Sequence, residues 1–256
     1  MNIKIITSAA NEKIKFLKKL QKKSARLESG RFIVENITLI HDALRAGFRP
    51  EALFITGELL QKPNDKLNYI IKNTGACTRI NERVNKSFST LAAPAGIAAV
   101  FAAKKQNINY NRPIAYLNAI SDPGNLGTIL RSALAFNIPS VVVDEECADI
   151  YNPKTINAAK DAIFKVAVIA DNDRKILREI KNKMKVYAAV PADGVDIKTL
   201  PNEKFCVVLG NESNGVNEEI LSRMDGAIKI NTGGRIESLN VAVAAGIIFY
   251  EMGNKE

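Results

Sequence analysis

Between residues 114 and 230 the chain carries six short apolar runs, IAYLNAI (114–120), SVVVD (140–144), KVAVI (165–169), KVYAAV (185–190), KFCVVLG (204–210) and GAIKI (226–230), with helical patterns between most of them. Runs so short and so continuously apolar suit strands covered on both faces, and the interposed helices supply the crossovers that parallel neighbours need. This half therefore reads as α/β, a doubly wound and largely parallel sheet. Three stretches, 120-ISDPGNLGTILRSALAFN-137, 206-CVVLGNESNGVNEEIL-221 and 228-IKINTGGRIESLNVAVAAGIIFYE-251, place Gly, Asn, Glu and Ser where an apolar run turns into a helix. Main-chain N–H and C=O groups are exposed at each such turn, so three sets of them are available to converge on one ligand.

The first hundred residues form a smaller α/β unit. Residues 11–28 set Ile14, Leu17 and Leu20 at helical spacing, with Lys13, Lys15, Lys18, Lys19, Lys22, Lys23 and Arg26 on the remaining faces. That helix is either a solvated lysine face or a phosphate-contacting surface. Strand-like RFIVE (31–35), a helix over 37–46 closed by Gly47, strand-like ALFIT (52–56), a helix near 64–73 and apolar GIAAVFA (96–102) follow. The polar stretch 103-AAKKQNINYNRP-113 reads as a linker. A chain of 256 residues has enough apolar surface for two cores, and the expected division is 1–105 and 106–256.

A formal net charge of +9 favours a polyanionic partner, and no apolar run reaches the length of a membrane span, so RNA or DNA is preferred over a membrane. The first residues, MNIKIITSAANEKIKFL, lack the apolar core of a signal peptide, and Cys77, Cys147 and Cys206 are too widely spaced for a metal knuckle. The expected setting is cytoplasmic and reducing. With His41 the single histidine, a His-based triad or a multi-histidine metal site is excluded, and no metal is expected.

Within the first glycine-rich turn, Asp122 and Pro123 set the bend, Gly124 and Gly127 allow close main-chain approach, and Asn125 stands at a helix start where its amide caps or binds. Arg131 shares a helical face with 124 and 127/128, near a terminus that attracts anions. The same residues would also make a tight strand–helix turn with a surface arginine. A dinucleotide loop is disfavoured, since Gly124 and Gly127 give only GxxG. In the second turn, Glu212 lies within 210-GNESNG-215 at the carboxyl edge of a strand, either accepting from a ligand, orienting an arginine or capping the turn. In the third, Ser238 and Asn240 precede a strongly apolar helix and serve either as caps or as donors to a ribose hydroxyl or carboxylate.

Taken in order, Asn125 with Arg131, Gly210-Asn211-Glu212 with Gly215, and Ile230 with Glu237-Ser238-Leu239-Asn240-Val241 resemble the three signatures of the SpoU (TrmH-like) branch of the SPOUT methyltransferases. These enzymes move a methyl group from S-adenosyl-L-methionine to a ribose 2′-hydroxyl in RNA. The segment 6–36 is more weakly similar to the family's RNA-binding extension, of the ribosomal protein L30e type. The resemblance implies a C-terminal α/β knot with a mostly parallel sheet and a smaller L30e-like domain before it, RNA, most often ribosomal RNA, as substrate, and a homodimer whose apolar helix 238–250 faces the partner. It implies that Leu209, Gly210, Asn211, Ile230 and Leu239 hold the cofactor, and that Arg131, Asn125, Glu212, Ser238 and Asn240 serve the reaction. The chain departs from the family at Asn231 and Thr232, which stand where Pro and Met are usual, and at Asp161 and Asn36, each replacing a Gly. Transfer RNA, or a catalytically idle RNA-binding knot, are the alternatives that the residues leave open.

Overall fold

The structure is a computed structural model that describes residues 4–253. The chain forms two compact units, one of residues up to Lys104 together with Tyr151–Ile156, the other of Lys105–Ile150 with the residues from Asn157 onward.

The first unit runs β1 (Lys4–Ile6), α1 (Glu12–Lys19), α2 (Lys23–Ser29), β2 (Arg31–Val34), α3 (Ile37–Arg45), β3 (Ala52–Thr56), α4 (Gly57–Leu60), α5 (Asp65–Thr74), β4 (Thr78–Ile80), α6 (Glu82–Phe88) and β5 (Ile97–Ala102). Its sheet has the order β1-β4-β3-β5-β2, with β5 antiparallel to both neighbours and the β1–β4 and β4–β3 pairings parallel. Helix starts are marked by asparagine. Asn11, Asn36, Asn64 and Asn81 each accept from main-chain N–H groups of the first turn, which satisfies donors that have no partner inside the helix. Ile14, Leu17, Leu20, Phe54, Ile80, Val84 and Phe88 close a core beneath α1 and α6.

The single helix expected over 11–28 is two. Leu20 closes α1, and its carbonyl accepts from Arg26 Nη1 at 2.7 Å, while the Gln21 amide donates to the Phe88 carbonyl. Arg26 is accordingly 5% exposed and structural, leaving Lys13, Lys15, Lys19, Lys22 and Lys23 as exposed cations of this region, Lys15 paired with Glu12.

The second unit runs β6 (Ile114–Leu117), α7 (Pro123–Ala135), β7 (Ser140–Asp144), α8 (Pro153–Ala159), α9 (Ala162–Lys165), β8 (Ala167–Asp171), α10 (Lys175–Lys181), β9 (Lys185–Ala189), β10 (Val195–Asp196), a 3-10 turn (Ile197–Thr199), β11 (Phe205–Leu209), α11 (Glu218–Leu221), β12 (Gly226–Lys229) and α12 (Val241–Gly253). The first residues of α8 fall in the other unit. The sheet order is β10-β12-β9-β11-β6-β7-β8, and every pairing is parallel. That agrees with the α/β architecture read from the apolar runs. The strand expected at 165–169 lies at Ala167–Asp171, because Ala162–Lys165 closes a helical turn first. The two-residue β10 and three-residue β1 and β4 are too short to carry a periodic signal.

The order of strands fixes where a ligand site can form. From β6 the chain passes through α7 to β7 on one side, whereas from β11, the other neighbour of β6, it passes through α11 to β12 beyond β9. Connections that diverge from adjacent parallel strands leave a crevice at their carboxyl ends. The first two glycine-rich turns leave the sheet there.

Candidate active site

The turn after β6 is anchored before it enters α7. Asp122 caps α7 by accepting from Asn125 N at 2.7 Å, and Pro123 occupies a position whose missing N–H costs nothing. The turn after β11 is narrower. Asn211 and Gly215 exchange two main-chain hydrogen bonds, each 2.9 Å, with Gly215 in the left-handed region at φ +69°. The Asn211 carbonyl oxygen of the side chain accepts from Ser213 N and Asn214 N, and its Nδ2 donates to the Ala119 carbonyl at 2.8 Å. Asn211 thus locks its own loop and ties it to the turn after β6. Gly210 is obligatory, since a Cβ there would lie 2.1 Å from Gly215 C and Val216 N.

The third segment meets the other two through α12. Asn240 is the cap of that helix: its Oδ1 accepts from Ala242 N at 2.9 Å. Asn240 Nδ2 then donates to Asn125 Oδ1 at 3.1 Å, and Asn125 Nδ2 donates to Glu212 Oε1 at 2.9 Å. At its far end α12 stays beside α7, with the rings of Phe136 and Tyr250 5.6 Å apart. The two helices therefore run side by side in the same direction and begin together at the site, where both macrodipoles favour negative charge.

The polarity of this three-residue chain is fixed from outside it. The Glu212 carboxylate only accepts and the Ala242 N–H only donates, so each amide between them has one permitted orientation. Each retains one N–H for a ligand: Asn125 spends one on Glu212 and Asn240 spends one on Asn125.

Arg131 lies on the exposed side of α7 with Thr128, leaning toward the helix start as helical side chains do. Among the described residues its guanidinium has no hydrogen-bond or ion-pair partner. The Glu212 carboxylate accepts from Asn125 Nδ2 at 2.9 Å and from Asn211 Nδ2 at 3.4 Å, and forms no ion pair with Arg131. Ser238 is exposed, two residues ahead of the Asn240 cap. Leu209 is 1% exposed at the end of β11, Gly210 is buried, and Ile230 and Leu239 are half-buried at either end of the third loop. Among the described residues the main chain of 231–239 makes no hydrogen bond within the protein. Asn231, the departure from the usual proline, donates from Nδ2 to Asp196 Oδ2 at 2.6 Å, which tethers the loop that a proline would have stiffened.

Of the expected site residues, Asn125, Glu212 and Asn240 are joined directly and Asn211 ties two of the loops. Arg131 and Ser238 stand on exposed backbone beside them without bonds to the group. Asn118, Asp144 and Asn217 are functional candidates that the sequence alone does not single out. Asn118 Nδ2 donates to Asp144 Oδ2 at 2.7 Å, and Asn118 Oδ1 accepts from Asn217 N at 2.9 Å. The available signal was their position: Asn118 and Asp144 each end an apolar strand run at its carboxyl edge.

Residues 112–250 match the SpoU rRNA Methylase family, and residues 11–99 match the MRM3-like substrate binding domain. The chain is 31% identical to the 23S rRNA (guanosine(2553)-2′-O)-methyltransferase RlmP of Bacillus subtilis over 98% of its own length and 99% of that protein's. It is 27% identical to the mitochondrial rRNA methyltransferase 3 of Homo sapiens, over 88% of this chain and 68% of that one. In three dimensions it is similar to an AdoMet-bound rRNA methyltransferase from Sinorhizobium meliloti, with a TM-score of 0.86, 25% identity and 98% of each chain covered.

Proposed function

The chain belongs to the SpoU rRNA methylase family and is an S-adenosylmethionine-dependent RNA ribose 2′-O-methyltransferase, and we propose that its substrate is ribosomal RNA, bound by residues 1–105 and methylated by a knotted domain of residues 106–256. The observation that carries the assignment of the reacting groups is the hydrogen-bonded chain Glu212–Asn125–Asn240, which joins all three glycine-rich segments at one place.

The cofactor fits the residues present. The third loop offers exposed main-chain donors and acceptors, and Leu209, Gly210, Ile230 and Leu239 supply apolar and backbone surface of the kind a purine nucleoside needs, with Asn211 beside them. When bound, S-adenosylmethionine supplies a methyl carbon made electrophilic by its sulfonium. The chain's own residues must bring a ribose oxygen into line with that carbon and stabilise charge as the hydroxyl proton leaves, and positioning of this sort provides much of the acceleration. The spare N–H of Asn240 and that of Asn125, with the Ser238 hydroxyl, orient the ribose. Arg131 binds the neighbouring phosphate or the developing alkoxide. It acts as a donor and not as a base, because a guanidinium has five N–H donors and no acceptor at any physiological pH. Its lack of an internal partner among the described residues and its place on the exposed side of α7 support this role.

A homodimer is supported by α12, where Val243, Ile247 and Tyr250 form a stripe exposed by 52%, 37% and 52%. These positions recur at i, i+4 and i+7, and a helix apolar on its outer face as well as its inner one is built to be covered. A cytoplasmic setting is supported by three buried, unpaired cysteines and by the absence, among the described residues, of any helix long and apolar enough to cross a membrane.

Incubation of the purified protein with tritiated S-adenosylmethionine and total RNA from a strain lacking the gene tests the substrate. Label confined to ribosomal RNA is the expected result. Label confined to transfer RNA would reassign the substrate, and no label in any RNA would overturn the reading.

A further inference from the structure

Between the turn after β6 and the turn after β11 lies a second polar network, separate from the Glu212–Asn125–Asn240 chain. Asn118 is 3% exposed and Asp144 9% exposed. The Asp144 carboxylate accepts from Asn118 Nδ2 at 2.7 Å, from Ala119 N at 3.0 and 3.1 Å, from Glu146 N at 3.1 Å and from Cys147 N at 3.1 Å. Ala119, a residue with a Cβ, is held at φ +56° in doing so, a conformation that L-residues avoid. On its other side Asn118 donates its main-chain N–H to the Leu209 carbonyl at 2.8 Å and accepts from Asn217 N through Oδ1 at 2.9 Å. One buried residue, by its main chain at Leu209 and its side chain at Asn217, therefore links the turn that launches α7, with Asn125 and Arg131, to both ends of the loop that carries Glu212.

We infer that Asn118, oriented by Asp144, is a positioning residue for methyl transfer, setting the register between the Arg131 helix and the Glu212 loop; this rests on the methyltransferase reading above. The logic of donors and acceptors makes the pair testable by exchange. In Asp144→Asn the new amide meets Asn118 Nδ2 in one orientation and the N–H groups of Glu146 and Cys147 in the other. Turning Asn118 over only moves the conflict to Asn217 N. In the double variant Asn118→Asp with Asp144→Asn, Nδ2 at position 144 donates to the carboxylate at 118, its Oδ1 keeps the main-chain donors, and the second oxygen at 118 accepts from Asn217 N. Every donor again faces an acceptor, Ala119 N keeping its bond to Oδ1 at 144 and giving up only its second contact, and the net charge is unchanged.

The experiment compares wild type, Asp144→Asn and the double variant for kcat and for KM toward ribosomal RNA, with thermal unfolding midpoints beside them. Asp144→Asn is expected to lose about a hundredfold in kcat, the size of effect that a displacement of about 1 Å produces, with the KM for RNA changed less than about threefold. The double variant is expected to regain the wild-type midpoint and most of kcat. An Asp144→Asn enzyme with undiminished kcat overturns the inference, as does a double variant that regains its midpoint without kcat, or fails to fold. Should Asp144→Asn not fold, the double variant alone decides by the same two readings. Wild type lacking any activity would instead strike the methyltransferase reading, and the recovered midpoint would still report on the pairing.

Discussion

Replacing Gly210 with alanine tests the loop that the site is built around, because the structure separates two ways in which a glycine can matter. At Gly210 a Cβ would stand 2.1 Å from Gly215 C and Val216 N and 2.3 Å from the Gly215 oxygen, all of it main chain. Nonbonded carbons settle at about 3.5 Å, so the facing strand of the loop must retreat by about 1.4 Å. That retreat breaks the two 2.9 Å bonds between Asn211 and Gly215. Two lost hydrogen bonds at about 1 kcal/mol each, with about 1–3 kcal/mol for overpacking, predict a destabilisation of about 3–5 kcal/mol. In a domain of this size each kcal/mol is worth about 2–4 °C, so the unfolding midpoint should fall by about 6–20 °C. At Gly215 the situation is reversed: φ is +69° but an added Cβ meets nothing within 4 Å. Gly215→Ala should cost about 1–2 kcal/mol of left-handed strain and at most about 8 °C. Scanning calorimetry of both variants, with titration calorimetry against S-adenosylmethionine, checks the ordering. Gly210→Ala should be the less stable and should lose cofactor binding, while Gly215→Ala retains it. A Gly210→Ala protein as stable as wild type, or a Gly215→Ala protein more damaged than it, would refute the steric reasoning.

Arg131→Lys keeps the charge but loses the planar fork, and kcat should drop by about a hundredfold or more while cofactor affinity holds, since Arg131 is bonded to none of the three loops; near-normal turnover in single-turnover assays would show that charge alone suffices. Val243→Glu with Ile247→Glu places two carboxylates in the exposed stripe of α12 and should yield a monomer by sedimentation, whereas an unchanged species would remove α12 from the interface. Burial pushes the Cys77 thiol up to about 11 and raises Cys206 and Cys147 further, Cys147 with help from the adjacent Asp144 charge. The thiolate, which is the reactive form, is therefore scarce in the native protein at pH 8. Native protein should resist iodoacetamide at that pH and take up label at all three cysteines once unfolded, and rapid labelling of the native chain would contradict this burial.

The parts of the fold written in periodic patterns were legible. Continuous apolar runs with helices between them imply a parallel sheet, and all seven strands of the second unit are parallel. The broken helix at Leu20 was not, because the cause is a buried bond from Arg26 and a contact from Gln21 to Phe88, sixty-seven residues away. Within the site, each glycine-rich segment advertised itself by composition, yet the bonds between segments join residues 87 and 115 positions apart. Composition cannot state which asparagine faces which carboxylate. Asn118 and Asp144 are illegible in the sequence for the same reason. Alone each is a polar residue ending a strand, and only together do they form a buried pair that holds two loops. The Asn231 departure shows the converse, since the lost proline is visible in sequence but the Asp196 tether that replaces its stiffness is not.

Glu212, Asn125 and Asn240 gather three bends of main chain, and in the proposed reaction this brings a methyl group to a ribose oxygen. Nucleoside mass spectrometry of ribosomal RNA methylated in vitro by wild type and by Asn240→Ala measures this directly. The expected result is a 2′-O-methylated nucleoside at one position with the wild-type enzyme and a loss of at least about tenfold in its yield with the variant. A methyl group on a base, or an undiminished yield from Asn240→Ala, would contradict it.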